Sequence, residues 1–439
     1  MPNEHRIEVN GLVEPDRVHR RCYVDEDVFD LEMARIFHTT WIYVGHETQV
    51  PKPGDYWTTI IGRQRMILVR DKEEGVCVLF NRCPHRGTQI CNERHGNVGD
   101  GFRCSYHAWQ FNLDGSLRSI PMSEGAYENT RFSPDDPQFH MKPAPRVESY
   151  RGFVFASLTE KGPDLKTWLG GSIQAFDDMC DRAPDGEVEI VPNCFRIIQK
   201  SNWKIFLENQ LDALHPSVAH ESTGRAASEV QKDIEDRTGK APPLSYHMLS
   251  AFTTPFDVWD SLQTVGQPYG HCMLQGYMGL RPTDPDTLEY EDRMRQSYGE
   301  KRAEEILSVN IHHVLVYPSL SVQSPLQQLR AVRPLAPDKT LTEIWHFRLK
   351  GAPEPIYRRA LDYYYLVNSP STMVNADDLV NFRKVQDGLQ VDAGDWVSFH
   401  RNAGQDSVVD GIVTSATGMS EAPMRNMFKA WDEYMQAGV

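Results

Sequence analysis

Apolar residues recur every three to four positions in Asp25-Glu-Asp-Val-Phe-Asp-Leu-Glu-Met-Ala-Arg-Ile-Phe-His-Thr-Thr40. Phe29, Met33, Ile36 and Phe37 share one face and acids crowd the first turn, so the pattern predicts a helix over 25–40. Past Trp41 the period shortens to two. GDYWTTII, RMILVR and VCVLF are short runs rich in β-branched and aromatic residues, broken by Pro-Gly, Gly-Arg and Glu-Glu-Gly, and they predict strands. Asp114-Gly115 marks a tight turn, and RGFVFASL (151–158) reads as another strand. Residues 42–160 therefore read as a small all-β domain. Beyond Gly162-Pro163 the pattern mixes: NCFRIIQKSNWKIFLENQ begins strand-like and turns helical, and 225–245 is polar and reads as a loop or lid. HHVLVYPSLSVQ, LQQLRAVRPL and LTEIWHFRL read as strands, 352–366 and 375–390 as helices. Met424, Phe428, Trp431 and Met435 form a helical stripe at the end of the chain, of the kind that packs into a core.

At 439 residues the chain is long enough for two or three domains. Its formal net charge of -15 argues against nucleic acid or an anionic membrane as the main partner, since both demand basic patches. No apolar run reaches the length of a membrane span. The start, MPNEHRIEVN, is polar and acidic, unlike a signal peptide, so a cytoplasmic location is expected. In a reducing compartment the eight cysteines serve as core residues, metal ligands or catalysts rather than disulfides.

Two cysteines stand out by their neighbours. Cys83-Pro-His85-Arg-Gly and Cys104-Ser-Tyr-His107-Ala-Trp each offer a thiolate and an imidazole at a strand tip. Two sulfurs and two ring nitrogens on paired loops suit zinc or an iron–sulfur cluster. A second constellation follows Asn202-Trp203-Lys. In ENQLDALHPSVAH, Glu208, Asp212 and His215 fall at helical i, i+4 and i+7, sharing a face. His220 comes five residues after His215, and Pro216 offers a break that could swing it round. Two imidazoles need a third ligand. Asp212, one turn before His215, can accept a hydrogen bond from that ring and fix its tautomer.

The first constellation resembles the Rieske motif, C-x-H and C-x-x-H. The second resembles the N-W-K, E-N and D-x-x-H-x-x-x-x-H run of the Rieske non-haem iron aromatic-ring-hydroxylating oxygenases, with the D-D-x-x-N segment after it. The resemblance implies the large (alpha, catalytic) subunit of such an enzyme, an α+β chain. It would comprise an N-terminal helical segment over 1–41 packing on the catalytic domain and an all-β Rieske [2Fe–2S] domain over 42–160. A catalytic domain over 161–439, with an antiparallel sheet surrounded by helices, would complete it. Cys83 and Cys104 would hold one cluster iron, His85 and His107 the other. His215, His220 and Asp378, with Asp377 as runner-up, would hold a mononuclear iron(II), leaving positions for dioxygen and substrate. Asp212 would bridge to a cluster histidine of a neighbouring subunit, His107 or His85. Asn209, Gln210 and Ala213 would line a mostly apolar substrate cavity, where the polar Gln210 hints at a substituted ring such as an aromatic acid. Electrons would come from NAD(P)H through a separate reductase or ferredoxin, and a small beta subunit would complete an α3β3 assembly. A homotrimeric Rieske monooxygenase, a Rieske electron carrier without catalysis and a zinc-stabilised binding protein are the alternatives.

Overall fold

The computed structural model describes residues 9–72 and 75–437. The expectation that the start is no signal peptide rests mainly on residues 1–8, which lie outside the described residues, as do Glu73 and Glu74 of one predicted turn; all counts are of the described residues. The chain divides into two compact units, 37–165 on the one hand and 1–36 with 166–439 on the other.

The smaller unit is built from strands. β1 (Ile42–His46) is followed by β2 (Asp55–Ile61), β3 (Gln64–Arg70), β4 (Val76–Phe80), β5 (His95–Asn97), β6 (Phe102–Arg103), β7 (Gln110–Phe111), β8 (Leu117–Ser119), β9 (Arg146–Tyr150) and β10 (Phe153–Ser157). They form three antiparallel sheets in the orders β4-β3-β2-β5, β8-β7-β6 and β9-β10-β1. Alternation along β3 and β4 sends Ile67, Val69 and Leu79 into a core with Phe102, Trp109, Phe111 and Met141. The Asp114-Gly115 turn forms as expected. Gly115 has φ +90°, and a Cβ there would meet the Met141 carbonyl oxygen at 2.6 Å, so glycine is required on two counts.

In the larger unit the N-terminal helix α1 (Glu26–Glu32) is capped by Asp25, whose side chain accepts from the backbone of Asp27 and Val28, and it continues as a π-turn over Met33–Phe37. β11 (Val188–Ile190) and β12 (Phe195–Gln199) lead to α2 (Trp203–Gln210), α3 (His215–Ala219) and α4 (Glu221–Thr238). The sheet then accumulates β13 (Gln263–Gly266), β14 (Cys272–Gly276), β15 (Ile311–Val316), β16 (Leu320–Gln323), β17 (Gln328–Ala336) and β18 (Lys339–Leu349). α5 (Glu354–Tyr363), α6 (Met373–Gly388), β19 (Ser407–Val409), β20 (Ile412–Ser415) and α7 (Ala422–Gln436) complete it. Ten strands make one antiparallel sheet, ordered β11-β18-β17-β16-β15-β14-β13-β20-β19, with β12 also pairing with β18. The fold is thus α+β with an antiparallel catalytic sheet, as expected.

One local expectation fails. Much of the stretch read as a loop over 225–245 is α4. Its buried Gly224 and Ala227 sit in a polar helix, and a Cβ at 224 would meet Phe252 and Thr253 backbone atoms at 2.9 and 3.0 Å. Only one narrow edge is buried, so the apolar stripe that signals a helix is nearly absent.

A buried charged network ties α1, α2 and α7. The carboxylate of Glu32 meets Lys204 Nζ at 2.5 Å and accepts the indole N–H of Trp203 at 2.8 Å and of Trp431 at 2.7 Å. Asn202 caps α2 by accepting from Lys204 N, and its backbone N–H donates to Gln386 of α6 at 2.8 Å. These contacts fix α2 against α6.

Candidate functional site

Two loops of the smaller unit have the same construction. Gly87 N–H donates to the Cys83 carbonyl at 2.9 Å, and Ala108 N–H to the Cys104 carbonyl at 3.0 Å. In return Cys83 N–H donates to the Thr88 carbonyl and Cys104 N–H to that of Trp109, both at 2.8 Å. Gly87 and Ala108 both have left-handed backbones, φ +77° and +53°. Each loop is therefore one closed turn that presents a cysteine and, two or three residues later, a histidine. Asn81 clamps the first loop, accepting from Ile90 and Cys91 N–H and donating to the Cys91 carbonyl.

The ligand candidates pair across the two loops. Cys83 and Cys104 are buried, and each thiol acts on the titration of the other. Burial pushes the Cys83 thiol up to about 11. At Cys104 burial acts the same way but is outweighed by backbone N–H donors from Tyr106 and His107, which bring it below its ordinary value. The rings of His85 and His107 lie 4.6 Å apart, and His85 stacks on Trp109 at 4.8 Å. His85 Nδ1 is buried without a hydrogen-bond partner among the described residues, a costly state unless it binds something. Two thiols and two imidazoles on paired turns are the donor set of a histidine-ligated iron–sulfur cluster.

In the larger unit His215, His220 and Asp378 do converge, with one ligand atom of each within 4.8 Å of the others. His220 Nε2 lies 3.3 Å and His215 Nε2 3.7 Å from Asp378 Oδ1. The route to this geometry differs from expectation. α2 ends at Gln210, before the Asp212–His215 step, so Glu208, Asp212 and His215 do not share a continuous helix. Asp212 instead makes a turn, its Oδ1 accepting from Leu214 N at 2.8 Å. Pro216 starts α3 rather than breaking a helix, and His220 sits at the α3–α4 junction.

The partners behind the rings set their tautomers. His215 Nδ1–H donates to the backbone carbonyl of Asp212 at 2.8 Å, not to its carboxylate as expected. Nε2 then carries the lone pair, directed toward the Asn209 amide at 3.0 Å; that amide also donates to Asp378 Oδ1 at 3.2 Å. Behind His220 it is Asp377 that stands 3.4 Å from Nδ1. Adjacent acids on α6 thus take different places: Asp378 joins the three-residue group and Asp377 orients a ring. Burial pulls His215 below its ordinary value. It pulls His220 the same way, but the hydrogen bonds and charges of Asp378 and Asp377 prevail and raise it. Asp212 Oδ1 pairs with Arg401 Nη2 at 3.0 Å, a partner that nothing in the sequence announced.

A cavity of ≈ 20 Å³ lies between the sheet and helices α2 and α6, with Asp378 in its wall. That is room for a water molecule, so a ring enters only as lining side chains turn aside. Asn209 and Gln210 line it as expected; Ala213 does not. Ile197, Phe206, Ile344 and Phe382 are its apolar part, and the other eight lining residues are polar or charged, Arg330 and Gln199 among them. Apolar and polar groups share its lining, with more polar groups than the few anchors expected.

Comparison with known proteins follows this division. A Rieske [2Fe-2S] domain model matches residues 40–135, and the ring hydroxylating alpha subunit (catalytic domain) model matches residues 182–437, over half of the chain. The chain belongs to the ring-hydroxylating alpha subunits. It is 32% identical to the toluate 1,2-dioxygenase subunit alpha of Pseudomonas putida over 87% of this chain and 82% of that one. It is 28% identical to the 2-halobenzoate 1,2-dioxygenase large subunit of Burkholderia cepacia over 95% and 86%. A solved naphthalene 1,2-dioxygenase with indole bound shares the fold at TM-score 0.79, 23% identity, and 97% and 93% coverage. A quaternary ammonium Rieske monooxygenase shares it at TM-score 0.68, 19% identity, and 96% and 97% coverage. This alpha subunit is accordingly an oxidoreductase with a Rieske [2Fe–2S] cluster and a mononuclear iron. No helix of the described residues is long and apolar enough to cross a membrane.

Proposed function

We propose that this alpha subunit is the terminal oxygenase of a multi-component system that dihydroxylates a substituted aromatic ring, with an aromatic acid as the substrate class. The observation that carries this reading is the cavity walled by Asp378, in which Arg330, Asn209 and Gln210 share the lining with apolar side chains. A hydrocarbon would leave those polar groups unpaired at a cost. The names of two relatives, toluate and 2-halobenzoate dioxygenases, point the same way.

In this reading the Rieske domain spans 42–160, the catalytic domain 161–439, and the segment 1–41 packs on the latter. Cys83, His85, Cys104 and His107 hold the cluster; His215, His220 and Asp378 hold iron(II). When bound, these groups supply single electrons and the activation of dioxygen. The protein's part is positional. The Asp212 carbonyl and Asp377 keep both imidazoles turned with Nε2 inward. The Asn209 amide, fixed by Gln210 Nε2 at 3.1 Å, holds His215 and Asp378 in register. Phe206 and Phe382 close one wall against water. Asp212 Oδ2 has no partner among the described residues, and we read it as the acceptor for His107 of the partner subunit, His85 being the other candidate. Electrons reach the cluster from NAD(P)H through a reductase, with or without a ferredoxin. A small beta subunit completes α3β3.

The test is turnover of benzoate and toluate under ¹⁸O₂ with a reconstituted reductase chain. A cis-dihydrodiol acid carrying two labelled oxygens is expected. A singly labelled phenol would move the chain to the monooxygenase reading, and cluster reduction without any oxygenated product would leave an electron carrier.

A further inference from the structure

The floor of the cavity is the sheet itself. Arg330 on β17 stands opposite Ile344 of β18 and Ser321 of β16. It is buried, with relative exposure of 7%, in the middle of the antiparallel sheet and lines the cavity with Asn209, Gln210 and Asp378. A cation so placed normally has a carboxylate against it. Among the described residues Arg330 has none. Its Nε donates to Gln328 Oε1 at 2.8 Å and its Nη2 to Gln323 Oε1 at 2.7 Å, both neutral amides, and Nη1 has no hydrogen-bond partner among the described residues. The ring of Phe206 lies 5.9 Å from the guanidinium carbon.

The neighbouring titratable groups do not supply the missing charge. His313 and His346 are held neutral, burial and the guanidinium pushing them down to about 3 and about 4. Tyr363 is pushed up by burial. Arg330 itself is drawn down by burial only to about 10, so it stays charged at neutral pH. Asp378 is the one carboxylate near enough to act on it, and it lies beyond ion-pair distance, turned to the two histidines. Arg330 thus brings a positive charge to the cavity wall with neutral amides as its only side-chain hydrogen-bond partners among the described residues.

We propose that Arg330 is the specificity-determining residue of this alpha subunit, its Nη1 edge receiving the carboxylate of an aromatic acid whose ring lies toward His215, His220 and Asp378. This rests on the aromatic-acid oxygenase reading above. Arg330 suits the task because guanidinium N–H groups form directed, charge-assisted hydrogen bonds to carboxylate. The two glutamines hold it from behind and leave one edge for the guest. A neutral ring would leave the cation unpaired.

The experiment is equilibrium dialysis of the intact oxygenase, without oxygen, against benzoate and 4-toluate, each paired with its amide. Amide and acid have nearly the same shape and differ in charge. The wild-type protein is expected to bind each acid at least 30-fold more tightly than its amide. Arg330→Met is expected to weaken acid binding by roughly 100-fold, within the range seen when one partner of a buried charge pair is lost, and to bring the ratio near one. Its unfolding midpoint should hold or rise, because the free protein sheds a buried charge without a counter-charge; should it fail to fold, Arg330→Gln serves the same comparison. Acids bound no better than amides by the wild type, or bound by the variant as by the wild type, would overturn the assignment. Iron content on the same samples separates the two levels: a missing mononuclear iron counts against the oxygenase reading, whereas full iron without acid preference counts against Arg330 alone.

Discussion

Replacing Glu32 by Gln should destabilise the catalytic unit more than any surface change. Glu32 and Lys204 are both fully buried, and their 2.5 Å contact is the ammonium's one carboxylate partner among the described residues. Two indoles also donate to Glu32, while Lys204 otherwise faces the rings of Trp203 at 4.7 Å and Tyr23 at 5.6 Å, with Glu208, which burial favours as the neutral acid, in its neighbourhood. Gln keeps the shape and removes the charge, so Lys204 is left buried without its counter-ion. Breaking a buried pair in this way costs about 3–5 kcal/mol. Lys204→Met should cost a similar amount by stranding the carboxylate. The double variant removes both charges and should recover most of the loss, giving a coupling energy of about 3 kcal/mol. Urea unfolding followed by tryptophan fluorescence reads this directly, since Trp203 and Trp431 sit on the network. Single changes that each cost under about 1 kcal/mol, or costs that simply add in the double variant, would refute the reasoning. The network holds the first turn of α2, so both single variants should also lose mononuclear iron more readily on dialysis.

Other expectations follow from the two metal-binding regions. Asp378→Ala should lose the mononuclear iron and keep the cluster signal, whereas Asp377→Ala should retain iron with affinity reduced roughly 10–100-fold; metal analysis after gel filtration decides, and the reverse pattern would exchange their roles. Asp212→Ala should keep both metals and lose turnover by at least about 100-fold; surviving activity would remove its bridging role. Ala108→Gly should stabilise the smaller unit by about 1 kcal/mol, because Ala at φ +53° is strained where glycine is not, and an unchanged thermal midpoint would contradict this. Burial lifts Glu208 from its ordinary 4.5 to about 8, against the pull of the Tyr23 hydroxyl at 2.9 Å and of Lys204. The folded state thus favours the neutral acid, so this contribution to stability is full below pH 4.5 and is lost as pH rises to about 8. Glu208→Gln should flatten stability across that window, and an unaltered pH profile would show that Glu208 is ionised in the fold.

The ligand candidates were legible because metal chemistry limits the residue types and the loops around them need Gly, Pro or a turn. Cys83, His85, Cys104 and His107 fall on two matched turns, and His215 and His220 come together around a turn made by Asp212. The helical face through Glu208, Asp212 and His215 was misread because periodicity alone does not register that Asp212 caps a turn and Pro216 opens a helix. The choice between Asp377 and Asp378 could not be made from sequence, since neighbours on a helix differ by one side-chain direction. Arg330 was missed for another reason. LQQLRAVRPL reads as a strand with ordinary polar alternation, yet β17 is buried from Gln328 to Pro334. The signal that could have found it is the pair Gln328 and Arg330, two positions apart and so on one face of this buried strand.

The most direct test of the account is iron and acid-labile sulfide content per chain, with an electron paramagnetic resonance spectrum after dithionite reduction, on the wild type and on Asp378→Ala. Two sulfides, two cluster irons and a third iron are expected in the wild type, with the rhombic signal of a histidine-ligated cluster. Asp378→Ala should lose the third iron and nothing else. Zinc without sulfide, or a third iron that survives the substitution, would contradict the placement of the two metals on these residues.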